Sequence, residues 1–299
     1  MPATAAPARS SPDLPELSHS PALRQAVASL GASAGGASAS RLLALLYDPD
    51  VDTDRITMCL HSEPVLSARV LKVANSPYYG RSGQVGSVER AVQLLGLVAV
   101  RGIAAAGALD RITPARAGQP FDPLRFRRHS AAVACAAQAL SRKGRCEVDG
   151  EAFMAGLLHD IGVLLLVKAD PVQMASFQPP EGVSAEAARA AERQHLGLDH
   201  ETAGVLLVRT WALPAWLTDA VSQHHQPENS PPVASGTGCL PRLLAVADHL
   251  ADSAGYGLWP RCGGEIPPAW LEGLSLTPED CQTVVETLPQ AVDALASGG

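Results

Sequence analysis

Aromatic residues make up only 4% of this 299-residue chain, and β-branched residues rarely alternate with polar ones. Sheets rest on such side chains at a two-residue period, so a β-rich architecture is excluded. Cysteine is sparse. The six thiols (Cys59, Cys135, Cys146, Cys239, Cys262 and Cys281) are widely spaced and form no C-x-x-C pair, in a chain too long to need covalent staples. They read as reduced thiols of a cytoplasmic protein, mostly small core residues. Positive charge is in deficit: 23 Lys and Arg face 30 Asp and Glu, for a net charge of −7 and a pI near 5.7. Such a balance gives no field to attract nucleic acid or an anionic membrane surface, and neither is expected as a partner. Long apolar runs are missing as well. Leu94–Ala108 and Ile161–Val167 are too short, or too interrupted by Arg101 and glycines, to span a bilayer. Met1–Ser11 is rich in Ala, Pro and Ser and lacks an apolar core of signal-peptide length. No repeat of fixed period is visible.

What the chain does have is Ala and Leu recurring at three- and four-residue spacing, within 46% apolar and 18% charged residues. That pattern predicts an all-α fold with ample core. The expected organisation is a tail over 1–12, a first helical lobe over 13–115, a second over 120–255, and an extension over 256–299 with one helix, Pro278–Ala296, capped by Thr277. Thr113–Asp122, with Pro114, Gly118 and Pro120, marks the boundary between the lobes. Ser87 reads as an N-cap for Val88–Leu95, with another helix after Gly96. Asp122 caps a long helix, Pro123–Lys143, whose proline suits the first helical position.

The stretch that organises the rest is Leu157-Leu158-His159-Asp160-Ile161-Gly162. Two ionisable groups stand inside an apolar run from Phe153 to Val167, and burying them costs several kcal/mol unless something compensates. A divalent cation is one compensation; a core histidine bonded to a carbonyl beside an N-capping aspartate is the other. Read downstream for the same chemistry, the second lobe supplies His129, His200, His224, His225 and Asp248. Five of the nine histidines therefore fall in one series. Each has an ordinary alternative: His129 follows three arginines and could be solvated, His200 follows Asp199 in a first helical turn, and His224-His225 could simply end a helix. Asp248 lies on an apolar face beside Leu244 and Val246. Ligands projecting inward from several helices are how a bundle holds metal, and seven of them exceed what one tetrahedral ion needs. One or two ions of Fe, Mn or Zn are the expected cofactors, with Asp160 bridging if there are two. His19, His61, His195 and His249 are read as surface or core residues.

From about Leu14 to Ala254 the chain resembles the HDOD domain, an output domain of bacterial signalling proteins related to the HD superfamily of metal-dependent phosphohydrolases. The resemblance is carried by Leu71 to Tyr79 with its Ala-Asn-Ser-Pro segment, Val88 to Gly96, Arg128-His129-Ser130, Leu157 to Gly162, Asp199-His200, Trp211 to Pro214 and His224-His225. It implies an N-terminal helical bundle and a C-terminal HD-like bundle, and HD-type metal positions at His129, His159, Asp160, His200, His224, His225 and Asp248. Three departures from the HD-GYP phosphodiesterases of cyclic di-GMP stand out. Val163 replaces a lysine, Gln226-Pro227-Glu228-Asn229-Ser230 replaces the Gly-Tyr-Pro loop, and Arg125 replaces a glutamate.

Two cations would permit phosphoester hydrolysis, but phosphoryl oxygens also need a cationic clamp, which the loss of the lysine weakens. The expected function is therefore a signalling module acting through protein–protein contacts, with cyclases or two-component proteins as candidate partners. The alternatives are a phosphohydrolase acting on a nucleotide or cyclic di-GMP, and a metal- or redox-sensing binding module. Partner recognition is expected at the turn holding Asn75, Tyr78 and Tyr79, since aromatics anchor interfaces; a tyrosine pair packing one lobe on the other is the alternative there.

Overall fold

Side-chain caps start the helices that the sequence marks. In a computed structural model, which describes residues 21–46, 48, 51–76, 85–114, 121–144, 146, 148–178, 180, 182–229, 236–259 and 265–296, every regular element is helical. The first part of the chain holds α1 (Pro21–Ala32), α2 (Ala34–Leu46), α3 (Thr53–His61), α4 (Pro64–Ala74) and α5 (Val88–Ile112). Ser87 accepts from the Arg90 amide to start α5, as its sequence position suggests, and Gly96, at φ 77°, breaks that helix in two. Next come α6 (Pro123–Lys143), α7 (Asp149–Leu158), α8 (Ile161–Ala169), α9 (Pro171–Ser176) and α10 (Ala185–Leu196). Asp122 caps α6 through the Leu124 amide with Pro123 behind it. The remainder is α11 (His200–Thr210), α12 (Ala215–Gln223), α13 (Leu240–Ala251), a π-turn over Asp252–Tyr256, α14 (Pro268–Leu274) and α15 (Pro278–Ala296). Thr277 and Asp280 bond each other's amides reciprocally at the start of α15.

Helices α9 and α14 are short and were not expected from periodicity, which needs more turns than either provides. Helix α15 lies along α6, with a Lys143–Asp280 pair near its start. Helix α1 packs on α8 and α11, so the buried apolar residues on both sides of 115–120 form one contiguous core rather than two. Gly150–Ala169 and Val88–Ile112 are long and apolar enough to cross a bilayer by composition. The first is instead almost wholly packed inside the protein across the break at His159-Asp160, and the second is little more than half buried and kinks at Gly96.

Two close helix approaches fix where the ends of α7 and α8 lie. Gly156 of α7 sits against the Ala134 backbone of α6, where an added Cβ would come within 2.7 Å of Cα. Gly162 of α8 sits against α11, where a Cβ would overlap the His200 carbonyl oxygen and the Gly204 amide. Only a residue without Cβ permits either approach. As a result, the chain reversal between α7 and α8 is brought onto the N-terminus of α11 and the middle of α6.

One expectation is corrected. Cys146 and Cys239 are not separate thiols but are joined as a disulfide, 93 positions apart in the sequence and with Cα atoms 6.3 Å apart. Cys146 follows α6 and Cys239 directly precedes α13; because these two helices pack together, their ends meet in a way that spacing along the chain does not reveal. Cys59, Cys135 and Cys281 are free, and burial pushes the Cys135 thiol up to about 12.

Substituting Gly162→Ala forces a methyl group into the α11 backbone. The expected result is a loss of roughly 2–3 kcal/mol or more in denaturant stability, with Gly182→Ala, where nothing lies within 4 Å of the Cβ position, showing the cost of positive φ alone (67° at Gly182). Equal losses for the two variants would contradict the close approach.

Candidate metal centre

Asp160 is the residue around which the other polar groups assemble. It follows the C-cap of α7, precedes the first residue of α8, and makes no capping bond there, so its carboxylate is turned inward. It is 6% exposed. Its two oxygens face different sets of imidazoles. Oδ2 lies 3.4 Å from His129 Nε2 and 3.4 Å from His159 Nε2, and His129 Nε2 is also 3.4 Å from Asp248 Oδ1. Oδ1 lies 3.5 Å from His200 Nε2 and 3.6 Å from His224 Nε2, while His225 Nε2 stands 3.0 Å from His200 Nε2. All seven residues singled out in the sequence therefore converge: two groups share Asp160, and Asp248 joins through His129 in a third.

The ring nitrogens are already sorted. Four of the five imidazoles point Nδ1 away from the centre: His159 toward the Gly156 carbonyl at 2.8 Å, His224 toward Val221 at 2.8 Å, His129 toward Tyr256 at 3.1 Å, and His200 toward the Glu192 carboxylate at 2.7 Å. A donor hydrogen on Nδ1 leaves Nε2 with its lone pair, the form a cation requires. The π-turn after α13 is what carries the Tyr256 carbonyl to His129, consistent with such turns gathering at functional sites.

Electrostatics follow from this crowding. Burial opposes charge on His129, but Asp160, Asp248 and Asp252 outweigh it and hold the imidazole up at about 9. His200 behaves likewise: burial works against charge, while Glu192, Asp160 and Glu201 raise it to about 10. Burial disfavours the Asp160 carboxylate too, yet His159, His129 and His224 pull it well below its ordinary range. At His225, burial and then the His224 and His200 charges act together and keep the ring neutral.

A divalent cation fits these donors. Ligand atoms about 2.0–2.2 Å from one ion stand roughly 3–4 Å apart, and the separations around each Asp160 oxygen are 3.0–3.6 Å. His224 supplies an independent sign: its Nε2 is buried with no hydrogen-bond partner among the described residues. A buried acceptor left in that state is costly unless a ligand completes it. His129, His159 and Asp160 would hold one ion, with Asp248 reaching that side of the centre through His129, and Asp160, His200, His224 and His225 would hold the other.

Several contributors escaped the sequence reading. Asp252 joins His129 and Asp248; its spacing of four from Asp248 on one helical face was the available signal. Glu192 accepts from both the backbone amide and Nδ1 of His200, and Glu201 accepts from the His225 amide. Arg189 pairs with Glu201 and Glu186. Glu186, Arg189 and Glu192 sit in an Ala/Glu/Arg helix and Glu201 in the first turn of the next, positions that read as a solvated face. Of the histidines left outside the series, His61 pairs with Glu89 and His195 contacts Ser176, while His249 lines the cavity over the centre; His19 lies outside the described residues. Asn75 caps α4 and bonds the Leu71 and Val85 backbones, and Tyr78 and Tyr79 lie outside the described residues.

The centre opens into a cavity of about 160 Å³ whose far wall includes Trp259 and Trp270. Protein purified without chelator is expected to carry divalent cation on elemental analysis. Asp160→Asn should abolish retention of both ions, whereas Asp248→Ala should chiefly lose the one beside His129; equal retention by all three proteins would contradict the shared carboxylate. A cation entering the metal-free protein at pH 7 must displace protons held by His129 and His200, whose folded values of about 9 and about 10 lie above the ordinary 6.5. Affinity should therefore rise as pH rises from 6 toward 9, with proton release visible as buffer-dependent heat in calorimetry.

The profile of the HDOD domain matches residues 36–227, from α2 to just past the double histidine. No curated protein matches the chain. Among solved structures, a Shewanella amazonensis protein provisionally called a phosphohydrolase is 26% identical with a TM-score of 0.70, the similarity covering 94% of this chain and 99% of that one. An HDOD domain protein of unknown function from Geobacter sulfurreducens is 24% identical (TM-score 0.66; 87% and 90% covered). A Marinobacter aquaeolei protein provisionally called a signal transduction protein is 23% identical (TM-score 0.71; 92% and 64% covered), and these two likenesses speak for the fold alone. With the profile spanning more than half of its length, the chain belongs to the HDOD family.

Proposed function

We propose that this chain is a bacterial signal-output module that acts in the cytoplasm by contact with other signalling proteins, cyclases or two-component proteins among them, and that carries a two-cation centre without hydrolytic turnover. The observation that carries this reading is the charge of the cavity over the centre. Its walls hold the Asp160, Asp248, Asp252 and Glu192 carboxylates. The one guanidinium among the described lining residues, Arg189, already has its terminal nitrogens on Glu201 and Glu186. Val163, where the HD-GYP enzymes have a lysine, is 1% exposed and packed in the core. The imidazoles of His129 and His200 face Asp160, Asp248 and Glu192, so an incoming phosphoester would meet no guanidinium or ammonium among the described lining residues with its terminal nitrogens left to clamp its oxygens.

Bound cations would supply Lewis acidity and would balance those carboxylates, and that is the ground for the second reading, phosphoester hydrolysis. The protein's own part in it would be to orient the Nε2 donors through Gly156, Val221, Tyr256 and Glu192, and to offer Trp259 and Trp270 as an apolar wall.

The two readings separate in one experiment. Protein loaded with Mn²⁺ or Fe²⁺ is incubated with cyclic di-GMP and with p-nitrophenyl phosphate. The expected outcome is retained metal and intact substrate, with capture of cyclase or two-component proteins that is unaffected by Asp160→Asn. Metal-dependent release of linear dinucleotide or nitrophenol, lost in Asp160→Asn, would replace the first reading with the second.

A further inference from the structure

A second cavity, of about 430 Å³, lies where α4, α5, α6, α7 and α15 meet, away from the Asp160 centre. Three guanidiniums line it: Arg69 from α4, and Arg127 and Arg128 from α6. They face a single lining carboxylate. Asp110 of α5 takes Arg69 Nη2 at 2.7 Å on one oxygen and Arg127 Nε at 3.6 Å on the other. Arg128 reaches Asp293 at only 3.9 Å, and that aspartate is 70% exposed, so the pair is weak. The positive charge lining the cavity exceeds the negative by two.

Arg69 is the informative member. Its side chain is 8% exposed, and its Nε has no hydrogen-bond partner among the described residues. Its terminal nitrogen is turned on Asp110, which keeps the positive charge of this buried side chain beside the cavity. Apolar walls complete the site, from Leu109 on α5, Leu157 on α7 and Leu295 on α15. The volume lies within the range of small-molecule pockets, which pair apolar walls with a few convergent polar groups. Guanidinium forks match the planar or tetrahedral oxygens of carboxylate and phosphate.

We propose that this interlobe cavity binds a small organic anion, its phosphate or carboxylate head on Arg69, Arg127 and Arg128 and its apolar body along Leu109 and Leu157. Such a ligand would span the first and second halves of the chain. One wall is continuous in sequence with the metal centre: Arg128 immediately precedes His129, and its guanidinium lies 5.6 Å from the ring centroid of Tyr256, whose carbonyl faces His129.

The test is calorimetric titration of metal-free full-length protein, dialysed clear of chelator, with phenyl phosphate, benzoate and inorganic phosphate in turn. One saturable site is expected for phenyl phosphate or benzoate, and whichever binds more tightly identifies the head group. Inorganic phosphate, lacking an apolar body, should bind at least about tenfold more weakly than phenyl phosphate. Arg127→Gln, at a half-exposed position chosen because Arg69→Met at a buried one can disturb folding, should weaken the organic anion about tenfold. His224→Ala should leave its affinity unchanged. The proposal is overturned if neither organic anion gives saturable heat, if Arg127→Gln binds as the unaltered protein does, or if His224→Ala removes the binding and so assigns it to the metal centre. Inorganic phosphate binding as tightly as phenyl phosphate would overturn the apolar half of the site.

Discussion

A carboxylate buried among imidazoles is the constraint on which the second half of the molecule depends. Asp160 is ionised although desolvation works against it, because His159, His129 and His224 surround it. Those rings are in turn fixed from behind by carbonyls, and His200 by Glu192, so none can turn away to find another partner. The arrangement brings lone pairs of neighbouring imidazoles within 3.0–3.2 Å of each other. It is satisfied by protons or by cations, and protons can serve only some of the nitrogens at once. The fold supplies the positions through two glycine contacts, Gly156 on α6 and Gly162 on α11, which are backbone features and independent of whatever occupies the site.

How far this could be read in the sequence depends on the scale of the signal. Long helices with marked ends were legible: Ser87, Asp122 and Thr277 cap helices where their residue types suggest, and Gly96 breaks one. The seven ligand candidates were legible because histidine and aspartate are conspicuous in apolar surroundings. Glu192 and Glu201 were not, since nothing local separates a carboxylate that backs a histidine from one facing water. Helices α9 and α14 carry too few residues for a period to show, and the Cys146–Cys239 link depends on how α6 and α13 pack. Tyr78 and Tyr79, the other half of the expected partner surface, lie outside the described residues, while Asn75 is engaged with backbone at the close of α4.

The family profile ends at residue 227, and what lies beyond it is integral to the centre. Helix α13 brings Asp248, the π-turn brings Asp252 and the Tyr256 carbonyl, and later residues bring Trp259 and Trp270 to the cavity. Helix α15 then packs along α6, the helix that carries His129. The C-terminal segment therefore closes one side of the site. The likeness to the Shewanella amazonensis structure covers 94% of this chain, well beyond the span of the profile.

The central claim is that the donors converging on Asp160 would hold two cations, one on each side of its carboxylate. Electron paramagnetic resonance of the protein titrated with Mn²⁺ tests it most directly, because ions bridged by one carboxylate are close enough to couple magnetically. The account predicts two bound equivalents and a spin-coupled spectrum that collapses in Asp160→Asn. Only the six-line signal of isolated ions, or no binding by the folded protein, would contradict it.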